Sequence, residues 1–201
     1  MAPNSNSGGR GRVYRTVTRL RLLPALLLLG VTAGIPFDFY SSARQKVDSI
    51  ESGRLQAGAR VDLSLKELNA FAEKEVPVGV RNPTLVLAEP ETVTGTALVD
   101  FGKLRRAQGY RPGWLMSKLL DGERPVSATA RIHTGGGRVT VEVKRAAVSG
   151  IEIDGATLEF IIQNFVVPFY PEAVVGRPVV MGFRIDRLQL APAGVGVVIG
   201  Q

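Results

Sequence analysis

The 201-residue chain contains no cysteine and only one histidine, His133. Without cysteine the chain can form no disulfide bond, offers no thiol nucleophile and cannot hold a metal through thiolates. A serine hydrolase built on this chain would have to use His133 as its base, because a catalytic triad needs an imidazole. The nucleophile motif Gly-x-Ser-x-Gly is absent as well. The sequence therefore predicts a protein that is not an enzyme and that carries neither a metal nor a cofactor.

The N-terminal segment has no acidic residue, because the first one in the sequence is Asp38. Five of the chain's 25 basic residues precede it, namely Arg10, Arg12, Arg15, Arg19 and Arg21. Without these five, 20 basic residues face 18 acidic ones, and the net charge falls from +7 to +2. A nearly neutral body argues against nucleic acid as a partner, because nucleic-acid-binding domains carry a strongly basic face.

An apolar run, Leu22–Ile35, follows these arginines directly. This order is typical of an export signal or a membrane anchor. Extended to Tyr40, the run approaches the roughly 20 residues that a bilayer requires. Small residues at Val31 to Ala33 also suit a cleavage site. Both alternatives stay open: a single-pass anchor in the bacterial cytoplasmic membrane, or export after signal cleavage. In either case the positive-inside rule places the C-terminal side outside the cytoplasm.

The composition along the chain predicts four segments. Residues 1–19 form a basic cytoplasmic lead, and residues 20–40 form the anchor or signal peptide. Residues 41–57 are polar with sparse apolar positions and predict a stalk helix or linker. Residues 58–201 form an extracytoplasmic α+β domain, in which no repeat of solenoid period occurs.

The body begins with a predicted helix and then continues mostly as strands. Ser64 and Glu67 have capping-box spacing, so a helix should start at Leu65 and end before Pro77. The stretch "ETVTGTALVDF" alternates, which predicts a strand with one apolar face. That face holds Val93, Gly95, Ala97, Val99 and Phe101.

Three further elements complete the expected fold. A short helix is predicted over Trp114–Leu120, and a longer one with apolar positions from Leu158 to Phe165 stops at Pro168. The chain ends as a hairpin that turns at residues 192–194, with a bulge near Asp186 where the apolar face changes parity. The predicted fold class is α+β: a long curved antiparallel sheet packed on two or three helices, preceded by one N-terminal transmembrane or signal segment.

The stretch "HTGGGR", residues 133–138, suggests either an active-site loop or a hairpin turn. An oxyanion or phosphate loop leads from a strand into a helix, whereas a strand follows here. Cross-strand partners must share a face, and a two-residue Gly135-Gly136 turn satisfies this rule. It sets His133 opposite Arg138 and predicts the pairs Ile132 with Val139, Ala130 with Val141, and Ala128 with Val143. The stretch is therefore predicted to be a turn inside a long hairpin.

The segment Leu158–Tyr170 holds more large apolar side chains than one helix face can bury. Either this helix is buried on two sides, or part of its surface faces a cavity or a bilayer. The residues predicted to line a lipid groove are Trp114, Leu158, Phe160, Ile161, Ile162, Phe165 and Phe169. The valines of Val93–Val99 and Val139–Val143 are expected to line the same groove.

Several stretches resemble a group of membrane-anchored or exported bacterial proteins of the YpmS-like and LmeA-like kind, which bind phospholipids. These stretches are "DLSLKELNAF", "VTGTALVDFGKL", "RPVSATARIHTGGGRVTVEVKRAAVSGIEI" and "MGFRIDRLQLAPAGVGVVIG", within residues 55–200. The resemblance implies a curved antiparallel sheet wrapped on helices around an elongated apolar groove. It also implies lipid binding or carriage without chemistry, with no catalytic residues to carry over. The long basic leader departs from the LmeA-like members.

The expected function is that of a membrane-anchored extracytoplasmic protein that binds or transfers a lipid or another lipophile without catalysis. Membrane lipids are its expected partners. The alternative is a structural or assembly module of the cell envelope that docks a partner protein. An enclosed groove favours lipid, whereas a flat exposed apolar patch favours a protein partner.

Overall fold

The computed structural model describes residues 38–109, 122–171 and 175–201. The predicted basic lead, most of the apolar segment and the predicted helix Trp114–Leu120 lie outside these residues. Within the described ranges, no helix has the length and hydropathy needed to cross a membrane.

The described residues form four α-helices and nine strands. The helices are α1 (Phe39–Glu51), α2 (Leu65–Glu75), α3 (Phe101–Ala107) and α4 (Gly155–Ile161), and a π-helical turn at Ile162–Val166 continues α4. The strands are β1 (Arg60–Ser64), β2 (Val80–Glu89), β3 (Thr92–Val99), β4 (Arg124–Gly135), β5 (Arg138–Val148), β6 (Ile151–Glu152), β7 (Val179–Val180), β8 (Ile185–Ala191) and β9 (Gly194–Ile199).

These strands form two antiparallel sheets. The large sheet has the order β2-β3-β4-β5-β6, and β7 pairs with the first two residues of β5. The small sheet has the order β1-β9-β8 and joins the start of the domain to its end. The α+β class and the long antiparallel sheet are confirmed. Of the four described helices, α1 lies mostly in the predicted stalk helix or linker, and α3 lies in a segment for which no helix was predicted.

Helix α1 belongs to the folded domain. Its N-cap is Asp38, whose carboxylate accepts the Tyr40 and Ser41 N–H groups. Ala43 and Ile50 are buried and pack with the small sheet. The stretch predicted to be a stalk helix or linker, residues 41–57, thus begins as a helix that packs on the domain. Two buried positions seven residues apart are too few to distinguish this helix from a solvated one by pattern alone.

Helix α2 begins at Leu65, as predicted, and its capping box is the most extensively bonded polar site described in the domain. Ser64 Oγ accepts the Glu67 N–H, while the Glu67 carboxylate accepts the Ser64 N–H at 2.7 Å. The same carboxylate lies 2.7 Å from Lys46 Nζ and accepts a hydrogen bond from Ser42. Glu67 is buried. Its contacts with Lys46 and Ser42 join α1 to the start of α2.

Because the pKa of the Glu67 carboxylate is low, we expect the fold to lose stability in acid. Burial raises its pKa, but hydrogen bonds from Lys46, Ser42 and Ser64 outweigh burial and lower the pKa from 4.5 to about 2. A depressed pKa stabilises the fold above pH 4.5, and this stabilisation is lost as the pH falls from 4.5 towards 2. We expect Glu67→Gln to lower the free energy of unfolding at neutral pH by about 2–3 kcal/mol.

The measurement is chemical denaturation of Glu67→Gln across that pH range. The wild type should lose stability between pH 4.5 and 2, whereas the variant should show a flatter profile. Glu73→Gln is the matched control, because Glu73 is an exposed carboxylate on the same helix. Equal acid sensitivity in the wild type and in Glu67→Gln would contradict the prediction.

Asn69 attaches α2 to the edge of the large sheet. Its Oδ1 accepts the Leu85 N–H at 2.7 Å, and its Nδ2 donates to the Leu85 carbonyl at 3.1 Å. This side chain thus satisfies both backbone groups of an edge-strand residue, which would otherwise need water or another strand.

The hairpin β4–β5 turns one residue later than predicted. Gly136 and Gly137 form the turn, both with positive φ, and Gly135 pairs with Arg138. Ile132 pairs with Val141 and Ala130 with Val143. His133 therefore lies opposite Thr140 rather than Arg138. The error leaves every side chain on its predicted face, because the partner shifts by two residues and the side-chain period of a strand is two.

At two bulges, the apolar positions of a strand change from odd-numbered to even-numbered residues. The predicted bulge near Asp186 is confirmed, since Ile185 pairs with Ile199 while Arg187 pairs with Val198. A second bulge lies at Lys144 in β5, and it makes Ala128 pair with Ala146 rather than with Val143. The apolar face of β5 therefore continues on even-numbered residues after Lys144.

Candidate functional site

A long apolar groove, the main groove, has a volume of about 740 Å³ and lies on the apolar face of the large sheet. Its described lining residues come from β4, β5, α4 with its π-helical turn, and the segment from Val175 to Leu188. None of these described lining residues is charged, and the only side chains among them with polar groups are Ser127 and Tyr170. A pocket of this size and character suits an apolar ligand.

The floor of the main groove is the sheet itself. Its side chains are Val126, Ala128, Val139, Val141, Val143, Ala146 and Val148. At the centre, Ala128 is flanked by Gly95 on β3 and by Ala146 on β5, because the register pairs these three residues across adjacent strands. A row of small residues therefore leaves space above the middle of the sheet. Ala128 is solvent-exposed although it lies on the apolar face.

Helix α4 and its π-helical turn form the second wall. Leu158, Ile161, Ile162 and Val166 face the main groove. The turn is closed by a hydrogen bond from the Val167 N–H to the Ile162 carbonyl at 3.0 Å. A π-helical turn adds a residue to the helical repeat and is frequent at functional sites. None of the residues of α4 or of this turn is fully buried.

The third wall was not predicted from the sequence. It consists of Val175, Val179, Val180, Met181, Gly182, Phe183, Ile185 and Leu188. Two of its residues lie at the groove mouth, where Val180 is 70% exposed and Phe183 53%, and Tyr170 from the segment after α4 is 46% exposed beside them. Phe183 and the following residue have positive φ values of 54° and 59°. A bulky residue rarely adopts that backbone conformation, which here turns the chain into β8.

A second cavity of about 440 Å³ lies on the other side of α4. It is lined by Phe101, Arg105, Arg124, Val148, Ser149, Ile151, Ile153, Thr157, Phe160, Ile161 and Phe165. Val148, Ile153 and Ile161 line both spaces, so the two cavities share a wall. Phe165 packs edge-on against Phe101, with ring centroids 4.9 Å apart.

The structure distributes the predicted groove residues over two cavities. Leu158, Ile161 and Ile162 line the main groove, whereas Phe160, Ile161 and Phe165 line the second cavity. Phe169 lines neither and packs against the buried cluster of Val99, Phe101 and Leu104. Trp114 lies outside the described residues.

Only one of the two valine stretches that were predicted to line the groove does so. The valines Val139, Val141 and Val143 line the main groove. Val93–Val99 does not, because β3 lies one strand further from α4 and its Ala97 and Val99 pack with the buried cluster instead. Phe101 does not extend the strand face either, since Asp100 caps α3 and Phe101 is its first residue. The floor residues Val126 and Ala128 of β4 and Val139, Val141 and Val143 of β5 follow the predicted alternation, whereas Ala146 and Val148 lie beyond the bulge at Lys144.

The outer face of the large sheet is polar. Thr94 and Thr129 share a hydrogen bond of 2.9 Å across β3 and β4. His133 Nδ1 lies 3.3 Å from Glu91 Oε2, and both side chains are exposed. Among the described residues, no group of three or more potential metal ligands comes together. The hairpin stretch with His133 therefore presents a solvent-exposed contact between His133 and Glu91 on this face.

No family model, curated protein or solved structure matches this chain.

Proposed function

We propose that this domain binds a hydrocarbon chain of a membrane lipid in the main groove. The observation that carries the proposal is the concave apolar lining, in which no described residue is charged. The concave shape supports a chain-like guest over a docked protein, for which a flat apolar patch would be expected. The resemblance to phospholipid-binding envelope proteins agrees with this proposal.

The energetics support exchange of lipid rather than permanent capture. Each methylene that leaves water for the groove contributes about 0.8 kcal/mol. Relative to a bilayer the gain is near zero, because lipid tails and the groove lining are equally apolar. The exposed apolar residues at the mouth, Val180 and Phe183 among them, give a lipid tail a short path between the two environments.

We further propose that the domain acts on the extracytoplasmic side of the bacterial cytoplasmic membrane, either tethered or exported after cleavage. The support is the order of the N-terminal segment, in which arginines precede the apolar run Leu22–Ile35. A tether would hold the groove close to the bilayer from which its lipid comes. The same groove would serve a soluble carrier if the segment is removed.

The test is photolabelling of the full chain in phosphatidylcholine vesicles that contain a phosphatidylcholine with a diazirine at the end of one acyl chain. After irradiation, the adducts are mapped to single residues by mass spectrometry. We expect adducts on groove-facing residues such as Val141, Leu158 and Ile162. Thr140 and Glu142 are internal controls, because they alternate with Val141 on β5 and face the other side of the sheet.

Adducts confined to the outer face of the sheet or to the N-terminal apolar segment would overturn the proposal. That result would leave the docking of an envelope protein as the remaining function of this apolar surface.

A further inference from the structure

The main groove follows β5 along almost its whole length. Its lining on this strand begins at Val139 and ends at Val148. At about 3.3 Å per residue, the strand between these two residues is about 30 Å long. The hydrocarbon core of a bilayer is also about 30 Å thick, and it holds two lipid tails end to end. The main groove is therefore about twice as long as the space that one tail occupies in a leaflet.

The main groove is narrow for its length. Its volume of about 740 Å³ is spread over the strand length given above. This leaves a mean cross-section of about 25 Å², which corresponds to a channel about 5 Å across. Carbon atoms that are not bonded to each other pack about 4 Å apart. The channel therefore admits one hydrocarbon chain and is too narrow for two chains side by side.

The two ends of the main groove differ. The groove mouth lies at the Val139 end, because Val180 belongs to β7, which pairs with the start of β5. At the opposite end, the main groove meets the second cavity at the wall that they share, formed by Val148, Ile153 and Ile161. A chain that enters at the mouth would thus reach the second cavity last.

Helix α4 is loosely packed where the two spaces meet. Ile161 is its last residue, and the π-helical turn Ile162–Val166 follows directly. Leu158 of α4 faces the main groove and Phe160 faces the second cavity, so the helix has open space on two sides. None of its residues is fully buried. A helix with so few buried contacts can shift locally and let a chain pass beneath it.

The second cavity suits the end of a hydrocarbon chain. Most of its described lining is aliphatic or aromatic. The charged residues in and beside it carry both signs, since Arg105 and Arg124 line it and the exposed Asp154 and Glu159 adjoin lining residues in the chain. The Arg105 guanidinium lies over the Phe165 ring, 5.7 Å from its centroid. Charges of both signs around one small space favour neither an anion nor a cation, whereas an uncharged chain end requires no partner.

We infer that the guest has one hydrocarbon chain that is much longer than the tail of an ordinary membrane phospholipid. The chain lies in single file along β5, with its polar head outside the groove mouth and its far end in the second cavity. The two spaces, of about 740 and 440 Å³, hold about 40 methylene groups if each takes about 30 Å³, the share of a water molecule in the liquid. This inference rests on the proposed function, because it specifies the guest of the same groove.

The experiment measures how far a chain reaches from the mouth. The full chain is placed in phosphatidylcholine vesicles with a lysophosphatidylcholine that carries a diazirine at the end of its acyl chain. The short probe has a hexadecanoyl chain, and the long probe has a dotriacontanoyl chain, which is twice as long. The zwitterionic head stays in water, because burial of its charges in an apolar groove is costly. We expect the short probe to label Val143 and Ile162 in the main groove and the long probe to label Phe160 and Phe165 in the second cavity.

Ile161→Phe tests the passage between the two spaces. The added ring should narrow the passage and reduce second-cavity labelling by the long probe about tenfold, because overpacking of a narrow space is costly. The short probe should still label Val143. Ile153→Phe narrows the same wall from the segment before α4 and keeps the test valid if Ile161→Phe fails to fold. His133→Phe is the matched control, because it places the same ring on the outer face of β4.

The possible outcomes separate the two proposals. Second-cavity labelling that is absent with the long probe, or equal for the two probes, would overturn the single long chain and leave hydrocarbon binding in the main groove intact. Long-probe labelling that neither Ile161→Phe nor Ile153→Phe reduces would also overturn it, as would an equal loss in His133→Phe. No labelling of the main groove by either probe would instead reject the proposed function itself.

Discussion

Replacing Gly194 with alanine is expected to lower the free energy of unfolding by about 4 kcal/mol or more. Gly194 has φ +154° and is the first residue of β9, paired with Ser64. A Cβ placed on it would lie 2.0 Å from the Leu63 carbonyl oxygen and 2.8 Å from the Ser64 Cα. Both neighbours are backbone atoms, so no side-chain rotation relieves the overlap, and β1 would have to separate from β9.

The consequence extends to the core of the small sheet. Leu63 of β1 is buried with Val197 and Ile199 of β9, and Ala43 and Ile50 of α1 pack on the same cluster. Separating the two strands would expose part of this cluster and weaken the attachment of α1. The first and the last strand of the described residues meet here, so the close approach at Gly194 holds β1 and β9 together.

Thermal or denaturant unfolding of Gly194→Ala checks this prediction. Gly136→Ala is the matched control, because Gly136 also has positive φ but no atom within 4 Å of its hypothetical Cβ. It should cost about 1 kcal/mol, the conformational penalty of a left-handed residue alone. A Gly194→Ala protein as stable as Gly136→Ala would show that β1 and β9 do not approach as described.

The features that were predicted correctly are those whose conformation is determined by residues close together in the sequence. Ser64 and Glu67 specify the start of α2 through bonds that span three residues. The bulge at Asp186 follows from a change of parity within a single strand. In both cases the physical cause lies inside the window of sequence that shows the pattern.

The hairpin turn shows where local reasoning stops. Turns at residues 135–136 and at 136–137 keep the same faces together, so face matching cannot distinguish them. Distant contacts accompany the observed turn: Thr134 Oγ1 exchanges hydrogen bonds with the backbone of Leu188, and the Gly137 N–H donates to the Asp186 carbonyl. These partners lie some fifty residues further along the chain.

The third wall of the main groove was missed for a related reason. Val179 and Val180 form a strand of only two residues, too short to show a period. They reach the groove because β7 pairs with Arg138 and Val139 at the start of β5. The residues of this wall are apolar in the sequence, but only the tertiary pairing reveals that they face a shared space.

Ala128→Phe is expected to raise the thermal stability of the lipid-free protein and to reduce labelling of the main groove by about tenfold or more. The position is suited to a larger side chain, because Ala128 is exposed on the apolar face and its cross-strand neighbours are Gly95 and Ala146. A phenyl ring there would bury apolar surface worth about 1–2 kcal/mol. That gain corresponds to a rise in melting temperature of about 2–8 °C for a domain of this size.

The sign of the stability change distinguishes an open groove from a packed core. In a close-packed interior, an added ring forces side chains off their rotamers and costs about 1–3 kcal/mol. In the main groove the ring would occupy space that a lipid chain would otherwise fill, so stability and labelling should move in opposite directions. His133→Phe is the control, because it places the same ring on the outer face of β4. A lower melting temperature in Ala128→Phe, with labelling unchanged, would show that the space above Ala128 is not where the lipid binds.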